Sequence, residues 1–527
     1  MPPVGGAYAK YVLGVLVLVY AMNFIDRQII SILAEDIKRD LGLSDADLGF
    51  LYGTAFAVFY ALFGIPLGRL ADNWVRTRLL SLGLFVWSGM TALSGLAGNF
   101  AQLSAARIGV GVGEASASPS AFSMLSDWFP REKRATALAI YSSGLYIGGG
   151  VSLFIGAVVV KAWNAAYPVA GPFGLVGWQA AFLAVGLPGM LMALWIATLK
   201  EPIRGRAEGL PEPPKLAGAD VFRRFIADFI SVIPPFTLLN LARIGGRALT
   251  INLVAAAAFA GLATLLIKIT GDVPQWVAIC LGGYAVTSWS QSLRHHDLPT
   301  WSLIWGTPTF VLALVGFGSI SFAGYSIGFW ALPYAIRTFV VPMAAAGGAL
   351  PWYAHTEIVA LILGGWGAAG GFLGVVIGGW VSDRVKKRNP AGRILVASLA
   401  TLVPAPFLVA MFTTDSLAMF LLFNVPVGLF GSIYVGIAAA TTQDLVLPRM
   451  RGAATATYFI GTTLLGLGLG PYFTGAVSKA TDNLATGVLA LLLMAPVTLT
   501  CLYLVYRQLP RAEASRIERA RAAGEAI

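Results

Sequence analysis

Four charged side chains lie within apolar stretches near the start of the chain, and their types and spacing could serve proton transfer. Asp26 and Arg27 are adjacent in one stretch, whereas Arg107 and Glu114 lie seven residues apart in another. In an α-helix, residues seven apart share a face within about 20°, and adjacent residues point about 100° apart. A charge at the centre of a bilayer costs about 2.5–3.5 kcal/mol on insertion scales, so such groups face a cavity or pair.

Proton exchange is the chemistry that these four residues favour. Burial raises the pKa of a carboxyl group, and a neighbouring arginine lowers it. A carboxyl group that faces first one side of a membrane and then the other would therefore change its protonation. We predict that Asp26 and Glu114 titrate, while Arg27 and Arg107 tune them or hold an anionic head group. The alternative is a purely structural salt-bridge cluster between the two helices.

The composition places these residues in a membrane protein. Of the 527 residues, 57% are hydrophobic and 12% are charged, and the mean hydropathy is +0.76. A soluble domain carries about 25% charged residues, so a soluble fold could not bury this much apolar surface. The chain is therefore predicted to be an all-α polytopic membrane protein. Its two cysteines, Cys280 and Cys501, fall in apolar segments and indicate neither a disulfide framework nor a thiolate zinc site.

Apolar segments of about 20 residues can cross a bilayer, and twelve are predicted here in two sets of six. A charged, Pro-rich linker follows the sixth and leads into an amphipathic segment, predicted to lie on the inner membrane surface. Two further apolar segments in this middle region are predicted to span as a pair, with interfacial or re-entrant helices as the alternative. The predicted spans are 11–33, 47–70, 79–98, 100–124, 135–160, 178–198, the extra pair 250–270 and 274–292, then 308–335, 355–381, 392–412, 416–440, 452–477 and 484–506.

These segments divide the chain into four predicted regions. They are a six-helix bundle at 1–200, a linker region with the amphipathic helix and the extra pair (250–292) at 201–305, a second six-helix bundle at 306–510, and a cytoplasmic tail at 511–527. Most lysines and arginines fall in loops on one side if the N-terminus is cytoplasmic, which predicts cytoplasmic termini in an inner or plasma membrane. This bias also explains the net charge of +11 without nucleic acid as a partner.

Two loop motifs recur, once in each set of six spans. They follow the second and fourth spans of each set, at offsets of 311 and 317 residues. The two bundles are therefore predicted to be pseudo-symmetric repeats, related by an axis along the membrane normal, as in one large class of secondary transporters. The first pair is Gly68-Arg-Leu-Ala-Asp72-Asn-Trp-Val-Arg76 and Gly379-Trp-Val-Ser-Asp383-Arg384-Val-Lys-Lys387; the second is Asp127-Trp-Phe-Pro-Arg131 and Asp444-Leu-Val-Leu-Pro-Arg449.

The first pair of motifs resembles the loop signature of the major facilitator superfamily. Asn73, Val75 and Lys386 depart from the usual base and glycines of that signature. Four N-terminal segments resemble its spinster branch more narrowly. This resemblance implies alternating access and gradient-driven transport of amphiphilic lipids, such as lysophospholipids or sphingosine-1-phosphate. The four segments are Asn23-Phe-Ile-Asp26-Arg27, Arg107-Ile-Gly-Val-Gly-Val-Gly-Glu114, Ser126-Asp127-Trp-Phe-Pro-Arg131 and Glu201-Pro-Ile-Arg204.

Residues of the repeated loops are candidates for a cytoplasmic gate. Acids at helix ends could pair with arginines of the neighbouring loops and hold that side closed. The alternative is that these basic residues only set the topology. The candidates are Asp72, Arg76, Asp127, Arg131, Arg134, Asp383, Arg384, Arg449 and Arg451.

The spans of the second set lack charge near their centres, so polar and aromatic side chains are the candidates for substrate contacts there. A charged half and an aromatic half would suit an amphiphile, although ordinary packing is the alternative for each residue. The candidates are Tyr325, Ser326, Asn424, Tyr434 and Tyr458.

The sequence contains no pattern typical of an enzyme or a cofactor site. Its three histidines are dispersed and indicate no metal site, and no Gly-Lys-Ser/Thr loop indicates nucleotide binding. We therefore expect a monomeric, proton-coupled transporter of an amphiphile, without a cofactor and in contact with membrane lipids. The alternatives are a proton-coupled carrier of drugs or small organic anions and a passive lipid scramblase.

Overall fold

The computed structural model describes residues 2–205, 207, 218–347 and 349–525, without the side chains of 131, 132 and 135. The described residues form helices joined by turns, and no β-strand occurs among them. The first set of predicted spans folds as α1 (Ala7–Leu41), α2 (Asp45–Asn73), α3 (Arg76–Ser94), α4 (Phe100–Glu114), α5 (Ala117–Trp128), α6 (Arg131–Ala166) and α7 (Gly177–Ala197).

The middle region is also helical. The predicted amphipathic segment lies in the first of its helices, and the predicted extra pair 250–270 and 274–292 is the third and fourth. These helices are α8 (Gly218–Val232), α9 (Thr237–Ile244), α10 (Gly246–Thr270), α11 (Val273–His296) and α12 (Leu298–Ile304).

The second set of spans follows as the six predicted helices, and a seventh, short helix lies in the tail. They are α13 (Pro308–Ala345), α14 (Thr356–Arg388), α15 (Gly392–Thr413), α16 (Leu417–Asp444), α17 (Pro448–Thr481), α18 (Leu484–Ala514) and the short tail helix α19 (Arg516–Ala522). The tail predicted for 511–527 is therefore helical over most of its described length.

Eleven helices among the described residues are long and apolar enough to cross a membrane, or twelve if the bent pair α8–α9 counts as one. The helix α10 is among the eleven, whereas α3, α4, α5 and α11 are not. The helices α4 and α5 are each too short, with 15 and 12 residues, because the predicted fourth span is interrupted. The chain is thus a multi-pass membrane protein with an all-helical fold.

Local sequence signals fix several of the helix ends. Ser44 caps α2, since its hydroxyl accepts a hydrogen bond from the Asp47 backbone N–H while the Asp47 carboxylate binds the Ser44 backbone N–H. Gly42 ends α1 with a φ of 66°, a conformation that glycine adopts without strain. Asn99 caps α4 through its side-chain oxygen, which lies 2.9 Å from the Gln102 backbone nitrogen.

The fourth span of each set is interrupted at an equivalent position. Residues 115–116 form a turn between α4 and α5, and residues 432–433 form a turn within α16. The two turns are 317 residues apart, as are Asp127 and Asp444 in the loops that follow. The repeat predicted from the loops therefore extends to the backbone of the spans, although continuous helices were expected there.

The chain forms two compact units whose boundaries differ from the predicted bundles. The first comprises 1–43, 62–229 and 351–368, and the second comprises 44–61, 230–350 and 369–527. The first half of α2 groups with the second unit because Gly49 packs directly against the α17 backbone, where a Cβ atom would lie 2.4 Å from the Pro471 carbonyl oxygen.

Each unit has a core of its own. In the first unit, Trp87, Trp128 and Trp178 are fully buried. In the second, a cluster around Phe310, Phe317 and Ile394 joins the helices α13 and α15 to the tail end of the chain. These cores fix the helices that carry the buried polar side chains of each unit.

Candidate functional site

The four charged residues predicted from the sequence form one cluster in the first unit. Nη2 of Arg27 on α1 lies 2.7 Å from Oε2 of Glu114 on α4. Nη1 of Arg107, also on α4, donates a hydrogen bond of 3.1 Å to the backbone carbonyl of Asp26. All four are buried, with Arg27 the most exposed at 7%. The helix-face argument placed Arg107 and Glu114 on one side of α4, and the two side-chain interactions with α1 bring in Asp26 and Arg27.

Asp26 is the residue of the cluster whose carboxylate is least satisfied. Its side chain is fully buried, and among the described residues neither carboxylate oxygen has a hydrogen bond of good geometry. Trp87 and Thr91 of α3 direct their polar atoms towards it, and Arg107 and Glu114 are the charged groups close to it. Burial of a polar group without hydrogen bonds is costly, so Asp26 is the acid of the cluster whose charge the surrounding protein compensates least.

The residues Trp87 and Thr91 were not predicted as part of the site. They lie four apart on α3 and therefore share one face of that helix. That spacing was visible in the sequence, but it is also common in ordinary packing. Only the position of α3 beside α1 shows that both side chains face Asp26.

Close packing of α3 on α4 places Glu114 in the cluster. A Cβ atom at Gly113 would lie 2.8 Å from Cβ of Trp87, so only glycine allows this approach. The helix α4 ends one residue later, at Glu114, whose side chain is turned towards Arg27 and has Asn23 as a further neighbour. The interruption of the fourth span thus lies directly beside the buried charges.

Arg76 is the centre of an ion-pair network among the predicted gate residues of the first unit. Its guanidinium is fully buried and pairs with Asp127 at 2.5 Å and with Glu201 at 2.7 Å. Arg204 donates to the backbone carbonyls of Ala71 and Trp74 at the end of α2. The segment Glu201-Pro-Ile-Arg204 therefore supplies partners both for Arg76 and for the backbone at the end of α2.

The second unit has an equivalent network, in which Arg393 and Asp444 lie 317 residues after Arg76 and Asp127. Asp444, the counterpart of Asp127, accepts hydrogen bonds from Lys386 at 2.9 Å and pairs with Arg393 at 2.8 Å. Arg393 also pairs with Glu513 at 2.5 Å. Neither Lys386 nor Arg393 was predicted as a gate residue, because the loop motif, at an offset of 311 residues, aligns Arg76 with Lys387 rather than with Arg393.

Arg449 pairs with Asp297, at 3.0 Å, and with Glu525 of the tail, rather than with Asp383 as expected from the loop motifs. Burial raises the pKa of Asp297, but hydrogen bonds from Arg449 and Thr300 outweigh it and hold that pKa below its usual value. A hydrogen bond from Arg449 likewise lowers the pKa of Glu525. The tail is thereby tied to the loop that precedes α12.

The remaining gate candidates are on the surface or in local contacts. Asp72, Asp383, Arg384 and Arg451 are exposed, and Arg384 stacks on Trp380. Arg134 donates to the Ser126 backbone carbonyl near the end of α5, at 2.8 Å. The Arg131 side chain lies outside the described residues. Asp72 and Asp383 were expected to pair with these arginines, and no such ion pair occurs among the described side chains. Their role in a gate stays a prediction.

The candidates in the second unit include three neighbouring tyrosines. The Tyr434 hydroxyl lies 2.7 Å from that of Ser321, and Tyr458 is close enough to Tyr434 and Tyr325 for their phenols to interact electrostatically. Ser326 shares a hydrogen bond of 2.6 Å with Thr474 of α17, which favours a packing role, and Asn424 is buried. No cluster of three or more metal-ligating side chains occurs among the described residues.

Comparison with known proteins supports the family resemblance. A model of the Major Facilitator Superfamily matches residues 16–392 and 338–527. The chain is 25% identical to an MFS-type efflux pump of Mycolicibacterium smegmatis over 484 residues, which cover 91% of this chain and 88% of the pump. It is 24% identical to protein spinster homolog 1 of Xenopus laevis over 486 residues, which cover 90% of this chain and 74% of that protein.

Two further similarities concern a shorter segment and a solved structure. A probable L-galactonate transporter of Escherichia coli is 31% identical over 173 residues, which cover 33% of this chain and 35% of the transporter. A bacterial homolog of the human lysosomal transporter spinster, in an inward-facing and unoccupied conformation, superposes with a TM-score of 0.66 at 25% identity, over 97% of this chain and 98% of that one. The relatives are transporters rather than enzymes. This chain accordingly belongs to the Major Facilitator Superfamily and is a transporter of the spinster branch.

Proposed function

We propose that the protein is a proton-coupled secondary active transporter of amphiphilic lipids, of the lysophospholipid or sphingoid-phosphate type, and works by alternating access. The observation that carries the proposal is the buried cluster of Asp26, Arg27, Arg107 and Glu114, in which the Asp26 carboxylate lacks a well-formed hydrogen bond. A fully ionised, fully paired cluster would suit a structural role. An unsatisfied carboxylate beside an ion pair suits a group that gains and loses a proton.

The charge balance of the cluster links protons to an anion. With both carboxyl groups ionised, the two acids and two arginines are neutral overall. Protonation of Asp26 and Glu114 would leave Arg27 and Arg107 without compensating charge, at a high cost inside a membrane. An anionic head group would restore neutrality, and Arg guanidinium groups bind phosphate and carboxylate well. Proton uptake and head-group binding would therefore favour each other.

The apolar part of the substrate is supported by separate observations. The second unit brings Tyr325, Tyr434 and Tyr458 close together, and aromatic rings of this kind suit contact with an apolar chain. The protein is also similar along most of its length to spinster homologs. We further propose cytoplasmic termini, an inner or plasma membrane location, a monomeric state, and no cofactor other than the coupling proton.

Small organic anions are the second candidate class of substrate. The local similarity to a probable L-galactonate transporter favours this class, and an arginine pair would bind a sugar-acid carboxylate as readily as a phosphate. Export of drugs is a variant that the similarity to an efflux pump suggests. A passive lipid scramblase would differ from all of these, because its transport would not respond to an imposed pH gradient.

Transport by the purified protein in liposomes separates these classes. Fluorescent lysophosphatidate, lysophosphatidylcholine and radiolabelled galactonate are offered with and without a pH gradient. Gradient-dependent movement of a lysolipid, with none for galactonate, supports the proposal. Movement of galactonate alone supports the second class, and lysolipid movement that ignores the gradient supports a scramblase.

The Asp26→Asn variant tests the coupling role directly. We expect it to abolish gradient-driven transport, because the neutral amide cannot exchange a proton. Asp482→Asn is a matched control, since Asp482 is exposed and adopts a left-handed φ of 50° that asparagine tolerates. Transport by Asp26→Asn with an unchanged pH profile would contradict a coupling role for this residue.

A further inference from the structure

The helix pair α10–α11 has no place in either set of six spans, yet it makes specific polar contacts. Within the pair, Asn252 of α10 donates to Ser288 and Gln291 of α11, and its side-chain oxygen accepts from Tyr284 at 2.7 Å. Hydrogen bonds of this kind hold helices together in apolar surroundings. The two helices are therefore tied into one hairpin.

One face of α11 contacts α2, which belongs to the first set of spans. The Gln275 side chain is buried and lies 2.6 Å from the hydroxyl of Thr54. One turn further along α2, Val58 is fully buried, and a Cβ atom at Gly282 of α11 would lie 3.3 Å from its Cγ1. These contacts place α11 directly on the first half of α2.

The same helix contacts α17, which belongs to the second set of spans. Asp272, just before α11, accepts a hydrogen bond from the Tyr472 hydroxyl at 2.7 Å and pairs with Lys479 at 3.2 Å. The Trp276 ring meets that of Tyr472 edge to face, with centroids 5.5 Å apart. The helix α11 thus touches one span from each predicted bundle.

Thr54 is the point at which α2, α11 and α17 meet. Its hydroxyl lies within hydrogen-bond distance of both the Gln275 amide and the Gly468 backbone carbonyl of α17. A hydroxyl carries one hydrogen and can donate to only one of them. The Gln275 atom placed nearest to the Thr54 hydroxyl is Oε1. Exchanging the amide oxygen and nitrogen, which have nearly the same shape, lets Nε2 donate to Thr54 while Thr54 donates to Gly468. In this orientation Nε2, which otherwise lacks a partner among the described residues, is satisfied.

We infer that the hairpin α10–α11 is a clasp that holds the first half of α2 against α17 and releases α2 during the transport cycle. Alternating access moves one repeat against the other, so a helix bound to spans of both repeats cannot keep both contacts throughout. The attachment to α17 includes a charged pair, and charge-assisted hydrogen bonds are about twice as strong as neutral ones. The neutral Gln275–Thr54 contact is therefore the one that opens.

A removable cross-link tests the clasp and rests on the proposed transport function. Cys280 and Cys501 are first replaced by alanine, and Val58→Cys with Gly282→Cys then joins α2 to α11 through a short bifunctional methanethiosulfonate. We expect loss of lysolipid transport that a reductant restores. The matched control, Phe259→Cys with Gly283→Cys, joins α10 to α11 only, because a Cβ atom at Gly283 lies against the Phe259 ring. It should transport normally when cross-linked.

A second measurement does not depend on the substrate. The rate at which maleimide alkylates Val58→Cys reports how often α2 leaves α11, since this position is otherwise fully buried. We expect Gln275→Leu to raise this rate severalfold and the exposed Thr264→Val to leave it unchanged. Full transport by the α2–α11 cross-linked protein, or an unchanged alkylation rate in Gln275→Leu, would overturn the clasp. A background variant that transports no probe would overturn the proposed function alone, and alkylation would still decide the clasp.

Discussion

The fourth span of the first set and its counterpart α16 are both interrupted helices, but they differ in the side chains at the interruption. Both are interrupted, at residues 115–116 and 432–433. Positions 317 residues apart carry Arg107 and Asn424, and again Glu114 and Gly431. One copy thus ends a helix on a buried ion pair, whereas the other ends it on a glycine at which an added Cβ atom would meet nothing within 4 Å.

This difference shows which part of the site the repeat supplies. Close backbone packing lies beside both interruptions: Gly113 packs on Trp87, and Gly374 of α14 packs on the Leu429 carbonyl of α16. The charged side chains do not follow from the packing, since the second copy folds without them. The fold therefore provides an interrupted span in each half, and among the described residues a buried charged cluster lies beside only one of the two interruptions.

Among the substitutions that test this difference between the two spans, Glu114→Gln should have the largest effect on stability and transport. The amide leaves the buried Arg27 guanidinium without its charged partner, and loss of one partner of a buried pair costs about 3–5 kcal/mol. We expect a lower midpoint in thermal unfolding in detergent and loss of proton-driven transport. The counterpart Gly431→Ala should change both little, because the added methyl meets open space. Equal effects of the two substitutions would show that the ion pair is not what distinguishes the spans.

Close packing at the two interruptions can be tested by adding a methyl group to each. In Gly113→Ala the new Cβ atom would lie 2.8 Å from Cβ of Trp87, and in Gly374→Ala it would lie 2.0 Å from the Leu429 carbonyl oxygen. Overpacking of this kind costs about 1–3 kcal/mol, so both variants should unfold at lower temperature. Gly149→Ala, which meets nothing within 4 Å, is the control. Wild-type stability of either variant would contradict close packing at that glycine.

The smallest expected effect concerns the tail contact that follows α16. The pKa values of Asp297 and Glu525 are lowered, so their ionised forms favour the folded tail. This contribution is present above the ordinary carboxyl pKa of about 3.9–4.3 and is lost as the pH falls through the lowered values. Acidification, high salt or Arg449→Gln should each speed proteolysis of residues after Ala514. A cleavage rate independent of all three would contradict a tail held by Arg449.

Local sequence patterns predicted most of the fold. Hydropathy located the spans of both sets and the extra pair, because an apolar run of span length has few alternatives in a membrane, but it did not predict that the fourth span is divided into α4 and α5. The repeated loops at Asp127 and Asp444 predicted two related halves. The cost of burying charge also predicted that Asp26, Arg27, Arg107 and Glu114 belong together, and the structure brings these four residues together.

Partner choice and helix continuity were decided by tertiary structure alone. The sequence could not show that Trp87 and Thr91 of α3 face Asp26. It also could not show that Arg449 pairs with Glu525 of the tail, or that α11 contacts both α2 and α17. Each of these depends on which helices lie side by side, and hydropathy is the same for every lipid-compatible arrangement. The sequence determined which residues must be in the membrane and which charges must be sheltered there. Packing between distant segments determined which groups shelter them.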